Sequence, residues 1–168
     1  MPDLKGRSFG RGAWVHPQTE CLRRLIPSLQ RSFRAPVVTT GPEALALLRA
    51  AAEHRAWQML GDGRRQRLLV GGSDVTARAW SAGQLSLVLV ASDADAAAKL
   101  TFVSEAVSLG QARVWGTKSA LGALFGRPEI GVVGLTDRGL AQRLFGAIAM
   151  ALLVPGAPND GAIPALDS

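Results

Sequence analysis

Two apolar runs, LSLVLVA at Leu85–Ala91 and IGVVGLT at Ile130–Thr136, most constrain what this chain can fold into. Each has strand length and is apolar at consecutive rather than alternate positions, which suits burial on both faces. Each is followed at once by a helix-capping residue, Ser92 or Asp93 in one case and Asp137 in the other. A two-faced strand feeding a helix, repeated, predicts a sheet covered by helices on both sides.

The remaining elements fit the same rhythm. Pro42 and Glu43 suit the first turn of a helix running to about Leu60. GDGRRQRLLVGG then reads as a loop with three arginines leading into a short strand near Leu68–Val70. From Ser73 or Asp74, either a good N-cap, a helix runs to Ala82 and stops at Gly83. The helix after Ser92 or Asp93 places Ala96, Leu100, Val103 and Val107 on one face and ends at Gly110. ARVW is a strand, Thr117 caps a short helix closing at Gly126, and the last helix buries Leu140, Leu144, Ile148 and Ala151. The order αβαβαβαβα predicts an α/β fold, a three-layer α-β-α sandwich of roughly 110–120 residues. The expected organisation is a basic module over 1–36, a main domain over 37–153 and a flexible tail over 154–168. RAPVVTTGPEA forms the linker into the main domain.

Composition excludes several classes. Apolar residues make up 48% of the 168, too many for a disordered chain. LFGAIAMALLV, the longest apolar stretch, is about half of a membrane span, and the N-terminus lacks the apolar centre of a secretory signal, so a cytoplasmic protein is expected. The single cysteine, Cys21, excludes an internal disulfide and a multi-thiolate metal site. The net charge is +6, and residues 1–36 hold seven basic side chains against Asp3 and Glu20. A positive field concentrated at one end is what a segment approaching a polyanion carries.

Catalytic constellations do not emerge. His16 and His54 are the only histidines, and no Ser-His-Asp arrangement can be drawn. GTKS at Gly116–Ser119 lacks the upstream glycine of a phosphate loop. Asp93, Asp95 and Asp137 follow strand ends, where helix capping accounts for them. The expectation is therefore no enzyme, no cofactor, no metal and no small-molecule substrate. What recurs is glycine with a basic residue at strand-to-helix junctions, where helix N-termini expose N–H groups and accept phosphates.

Taken together, GGSDVTARAWSAGQLSLVLVASDAD, GTKSALGALFG and IGVVGLTDRGLA resemble the L-seven-Ae/L-thirty-e superfamily of ribosomal and kink-turn-binding proteins, in particular its bacterial YlxQ-like branch. The resemblance runs from about Gly63 to Leu144. It implies that the glycine turn before the second helix inserts into RNA at a sharp bend. Gly72 matches the turn glycine and Arg78 the lysine one helical turn on, with Ser73 between turn and helix. Asp74 and Val75 stand where strong binders carry Asn and Glu; Asp74 offers only acceptors to a base edge, and Val75 offers none. A second RNA-touching loop would fall on Gly126, Arg127, Pro128 and Ile130, with Lys118 close by. The front segment GRSFGRGAWVHPQTECLRRLIPSLQRSFR resembles the C-terminal half of the YlxR family (DUF448), small basic RNA-associated proteins. That resemblance implies phosphate contact and base stacking by Arg7, Arg11 and Trp14. The strand and C-x-x-C-type motif that usually open a YlxR protein do not precede it, implying a shortened version or a start placed late.

The leading expectation is a non-enzymatic protein that binds structured RNA, ribosomal or another folded non-coding RNA, within a ribosome or RNA-processing assembly. Arg64, Arg65 and Arg67 would add electrostatic affinity. The alternative is a protein-interaction scaffold that kept the fold and lost RNA recognition. It draws on Asp74-Val75 and on the near balance of six basic and five acidic residues over 84–153. An RNA methyltransferase would need a separate knotted catalytic domain, for which this chain has no room.

Overall fold

A computed structural model describes residues 19–34, 36 and 39–153. They divide into two compact units, one of residues 19–55 with 147–153 and one of residues 56–146, the division falling inside two helices, 41–65 and 138–153. In the first unit lie α1 (Thr19–Arg23) and α2 (Leu25–Phe33), the amphipathic basic segment, with Leu22 and Leu25 buried. The break at Arg24 has a cause in Pro27, whose ring clashes with the carbonyl four residues back and whose nitrogen cannot donate to it.

The long helix is α3 (Gly41–Arg65). It opens on a reciprocal capping box: the Thr40 hydroxyl accepts from the Glu43 N–H at 3.4 Å, and the Glu43 carboxylate accepts from the Thr40 N–H at 2.8 Å. The bond from the Thr40 N–H, with those from the Thr40 and Thr39 hydroxyls, holds the Glu43 carboxyl below its ordinary value. The expected stop near Leu60 is overrun. Gly61–Arg65, anticipated as loop, is helical, and Asp62 and Arg65 pair across one turn. Gly63 is there for close approach rather than reversal, since a Cβ on it would lie 2.6 Å from Leu140 Cδ2. The helix ends one turn later, on paired bonds from Leu68 N–H to Gly63 O and from Arg67 N–H to Arg64 O, with Arg67 left-handed at φ +59°.

The second unit is built on β1 (Leu69–Gly71), β2 (Leu87–Val90), β3 (Ala112–Val114) and β4 (Val132–Leu135). They form one mixed sheet in the order β1-β4-β2-β3; β4 runs antiparallel to β1 and β2, and β2 runs parallel to β3. Every residue of β2 and β4, the two apolar runs of the sequence, is buried, as central strands covered on both faces must be. Against the sheet pack α4 (Ser73–Ser81) on β1 and β4, α6 (Thr101–Ser108) on β2 and β3, and α7 (Lys118–Ala123) on β4. Asp137 caps α8 (Arg138–Leu153) as anticipated, accepting from the Leu140 N–H at 2.6 Å, and Leu140, Leu144, Ile148 and Ala151 are buried. The fold is thus mixed α/β, as the sequence pattern implies.

Three further helix expectations need correction. Neither Ser73 nor Asp74 caps α4: Gly72 is the N-cap and no side chain closes that end. The single helix after Ser92 is two, α5 (Asp95–Ala98) and α6, separated by the extended Leu100. The buried face is therefore Ala97, Phe102, Val103 and Ala106, while Ala96 and Val107 are exposed. Asp93 caps neither; its carboxylate accepts from the Lys118 N–H at 2.7 Å, at the start of α7, where the Thr117 hydroxyl also accepts from Ala120.

A candidate nucleic-acid interface at the Gly72 turn

β1 delivers the chain to the sheet end where Gly72 donates its N–H to Val132 O at 2.9 Å and turns into α4. Gly72 has φ +104° and ψ 149°, a backbone region essentially confined to glycine. The first helical N–H to find a partner is that of Thr76, on Gly72 O at 3.0 Å. The N–H groups of Ser73, Asp74 and Val75 therefore carry the partial positive charge of an uncapped helix start. Ser73, Asp74, Val75 and Arg78 are exposed, and Arg78 Nε reaches the Asp74 carbonyl at 3.3 Å, holding its guanidinium along the first turn.

Arg127 arrives at this turn from a loop distant in sequence. A Cβ on Gly72 would lie 3.8 Å from Arg127 Nη1, so the guanidinium stands over the turn itself. The loop is anchored from α7: Arg127 N–H donates to Gly122 O at 3.0 Å, Ile130 N–H donates to Lys118 O at 2.9 Å, and Lys118 Nζ lies 3.5 Å from Glu129 Oε2. Lys118 thus helps to hold the loop and is partly engaged by Glu129. Ile130 is 4% exposed, so its expected role as a surface contact is corrected: its side chain is core, set where a Cβ on Gly71 would be 3.0 Å from Ile130 Cδ1.

Arg65, the last residue of α3, and Arg67, on the turn after it, both precede β1, at the opposite end of that strand from Gly72. Arg65 is engaged by Asp62, and Arg67 forms the left-handed helix end. Arg7, Arg11 and Trp14 lie outside the described residues. Phe125 and its partner Arg64 complete the cluster. A Cβ on Gly71 would meet the Phe125 ring at 2.8 Å, and the Arg64 guanidinium carbon lies 4.8 Å from the centroid of that ring. Sequence reasoning does not point to Phe125, and it presents Arg64 only as diffuse charge. The signal for Arg64 is the helical register, which places it seven residues, two turns, after the buried Trp57.

Among the described residues, Arg64, Arg78 and Arg127 make no ion pair, so three cationic groups without carboxylate partners lie on the elements that adjoin the Gly71-Gly72 turn. A separate groove of about 540 Å³, lined in part by Ser86, Gln111, Arg138, Gln142 and Phe145, includes none of the anticipated site residues. Among the described residues no group of three or more His, Cys, Asp or Glu side chains could hold a metal ion, and no helix is long and apolar enough to cross a membrane.

No family model matches the chain, and no curated protein does. Among solved structures, the chain is similar to a protein of unknown function from Bacillus halodurans, with 30% identity and a TM-score of 0.50. The likeness covers 55% of this chain and 95% of that one. At that identity over nearly the whole of the neighbour, this chain belongs to the family of the Bacillus halodurans protein.

Proposed function

We propose that the 56–146 unit binds structured RNA, with the Gly72 turn and the start of α4 meeting the phosphate backbone and Arg127 and Arg78 flanking it. The observation that carries this reading is the Arg127 guanidinium placed over Gly72 beside an uncapped helix N-terminus. N–H groups without acceptors and guanidinium groups without carboxylates are both completed by phosphate oxygens. On this reading the unit is a three-layer α-β-α sandwich of the L-seven-Ae/L-thirty-e type, the protein is non-enzymatic and cytoplasmic, and its partner is ribosomal or another folded non-coding RNA. Asp74 supplies acceptors only, so backbone shape rather than a purine edge is what the turn reads.

One structural observation favours the scaffold reading: Val75, on the exposed first turn of α4, leaves an apolar side chain 42% exposed where a base-reading group would stand. A salt titration of binding to a standard kink-turn, the same duplex without its bend, and total folded cellular RNA separates the two. RNA binding predicts affinity that falls steeply with salt and is weakened by Arg127→Glu. Absence of binding to all three at low salt defeats the RNA reading and favours the scaffold.

A further inference from the structure

Two cations adjoin the Gly71-Gly72 dipeptide, one directly and one through an aromatic ring, and they are held differently. Arg127 stands over Gly72 from a loop. Arg64, on α3, lies on the face of Phe125, and the edge of that ring is pressed against Gly71 closely enough that a Cβ there would sit 2.8–2.9 Å from two ring carbons. Arg64 is exposed, makes no ion pair among the described residues, and has a guanidinium free to donate outward. A bare arginine at a helix end is an entropic liability for binding, because its rotamers must be frozen. A guanidinium laid on an aromatic face is already ordered and keeps its N–H groups in its own plane for an oxyanion.

We infer that Arg64 is a second phosphate-binding residue of this interface and that Phe125 is its positioning residue, so that the turn is bracketed by two guanidinium groups and takes two phosphates of one RNA backbone. This rests on the RNA reading of the Gly72 turn. It extends that reading to a residue outside the loop-and-helix pair and to an aromatic ring that makes its contribution through another side chain. Gly71 has a role here that Gly72 does not share: its missing Cβ is the space into which the Phe125 edge fits.

The test is a double-mutant cycle of Arg64→Gln and Phe125→Leu in the full chain, read as the slope of log affinity against log salt on folded cellular RNA. Loss of one phosphate contact lowers the slope by about 0.7–0.9 and weakens binding roughly five- to ten-fold at 0.1 M salt. Arg64→Gln is expected to show that loss. Phe125→Leu is expected to show part of it in the native background and none in the Arg64→Gln background, because a positioning residue has nothing left to position. A purely structural Phe125 would weaken binding equally in both backgrounds, which refutes its assignment. An unchanged slope in Arg64→Gln refutes the whole inference while leaving the Arg127 reading intact. A wild-type chain that binds no RNA at low salt removes both. Circular dichroism melts of the four proteins verify that each is folded at the assay temperature, and Phe125→Met replaces Phe125→Leu if the latter is not.

Discussion

Gly122, buried in α7, is the position where one methyl group should disturb both stability and the interface. A Cβ there would lie 2.6 Å from the Arg127 carbonyl oxygen and 2.9 Å from the backbone N and Cα of Glu129. These are main-chain atoms, so no side-chain rotation relieves the contact; the loop must lift. Overpacking of this kind costs about 1–3 kcal/mol, and loosening the Arg127 N–H to Gly122 O bond costs about 1 kcal/mol more. Against that, alanine gains about 1 kcal/mol over glycine in a helix. The expected net is a loss of about 1–3 kcal/mol, or roughly 2–10 °C in Tm for a chain of this size. Gly146, in α8, supplies the internal control, since among the described residues nothing lies within 4 Å of where its methyl group would stand, and Gly146→Ala should gain about 0.5–1 kcal/mol. The assay is a urea and thermal melt of both variants, with RNA affinity measured alongside. Gly122→Ala should melt earlier and bind RNA with a reduced salt slope, because Arg127 moves with the loop. A Gly122→Ala protein as stable as Gly146→Ala would refute the seating of this loop on α7.

Three further outcomes follow from the same geometry. Arg67 is left-handed at φ +59°, at a cost to a non-glycine residue of about 1 kcal/mol that the greater unfolded-state freedom of glycine only partly offsets; Arg67→Gly should raise stability by about 0.5 kcal/mol by denaturant melt, and Arg67→Ala should not. Asp93→Ala should cost about 1 kcal/mol by removing the acceptor for the Lys118 N–H, with Asp93→Asn close to neutral, and amide exchange should report the loss at Lys118 in α7 rather than in α5. The Glu43 carboxyl lies below its ordinary 4.5, held there first by the Thr40 N–H and then by the Thr40 and Thr39 hydroxyls. Its folded value is depressed, so its contribution is complete above about pH 4.5 and is lost as pH falls through the folded value. Fraying of the start of α3 on acidification should therefore be absent in Glu43→Gln, by NMR of the Thr40 amide.

What could be read from the sequence divides by how far apart in the chain the interacting groups lie. The two apolar runs became the buried central strands, and Asp137 capped the helix that starts beside it, because strand burial and an N-cap are decided within a few residues. Asp93 carried the same local signature and serves a helix 25 residues on. Its carboxylate is presented at the end of β2 while β3, the parallel neighbour, delivers the start of α7 to the same edge. A capping residue at a strand end can close its own helix or the helix of the strand beside it, and only the pairing order chooses. The glycines divide in the same way. Gly83 and Gly110 are left-handed helix stops, as their place after apolar periodicity implies. Gly63 and Gly122 look identical in a sequence but are helical, and their missing Cβ atoms admit Leu140 in one case and the Arg127 loop in the other. Reading Gly61 and Gly63 as breakers ends α3 early and consigns Arg64 to a loop as diffuse charge. Its partner Phe125 is 61 positions away, so no spacing rule joins them.

The candidate interface has the same character. Its Gly72 turn was legible because a turn followed by a helix start is local, whereas the placement of Arg127 over it depends on two bonds from α7 and on a Gly122 without a side chain. Positive charge at this surface is therefore a property of loop seating as much as of composition. The 84–153 stretch is nearly balanced in charge, and that balance conceals a local arrangement in which Glu129 is drawn toward Lys118 while Arg127 pairs with no carboxylate among the described residues. Arg127→Glu and Gly122→Ala consequently attack one contact by different routes, the first by reversing its charge and the second by moving it. If the phosphate reading holds, Arg127→Glu weakens binding without a change in melting temperature, while Gly122→Ala changes both. Were the surface a docking site for an apolar partner centred on Val75, the order would invert, with Val75→Asp the most damaging substitution and Arg127→Glu close to silent.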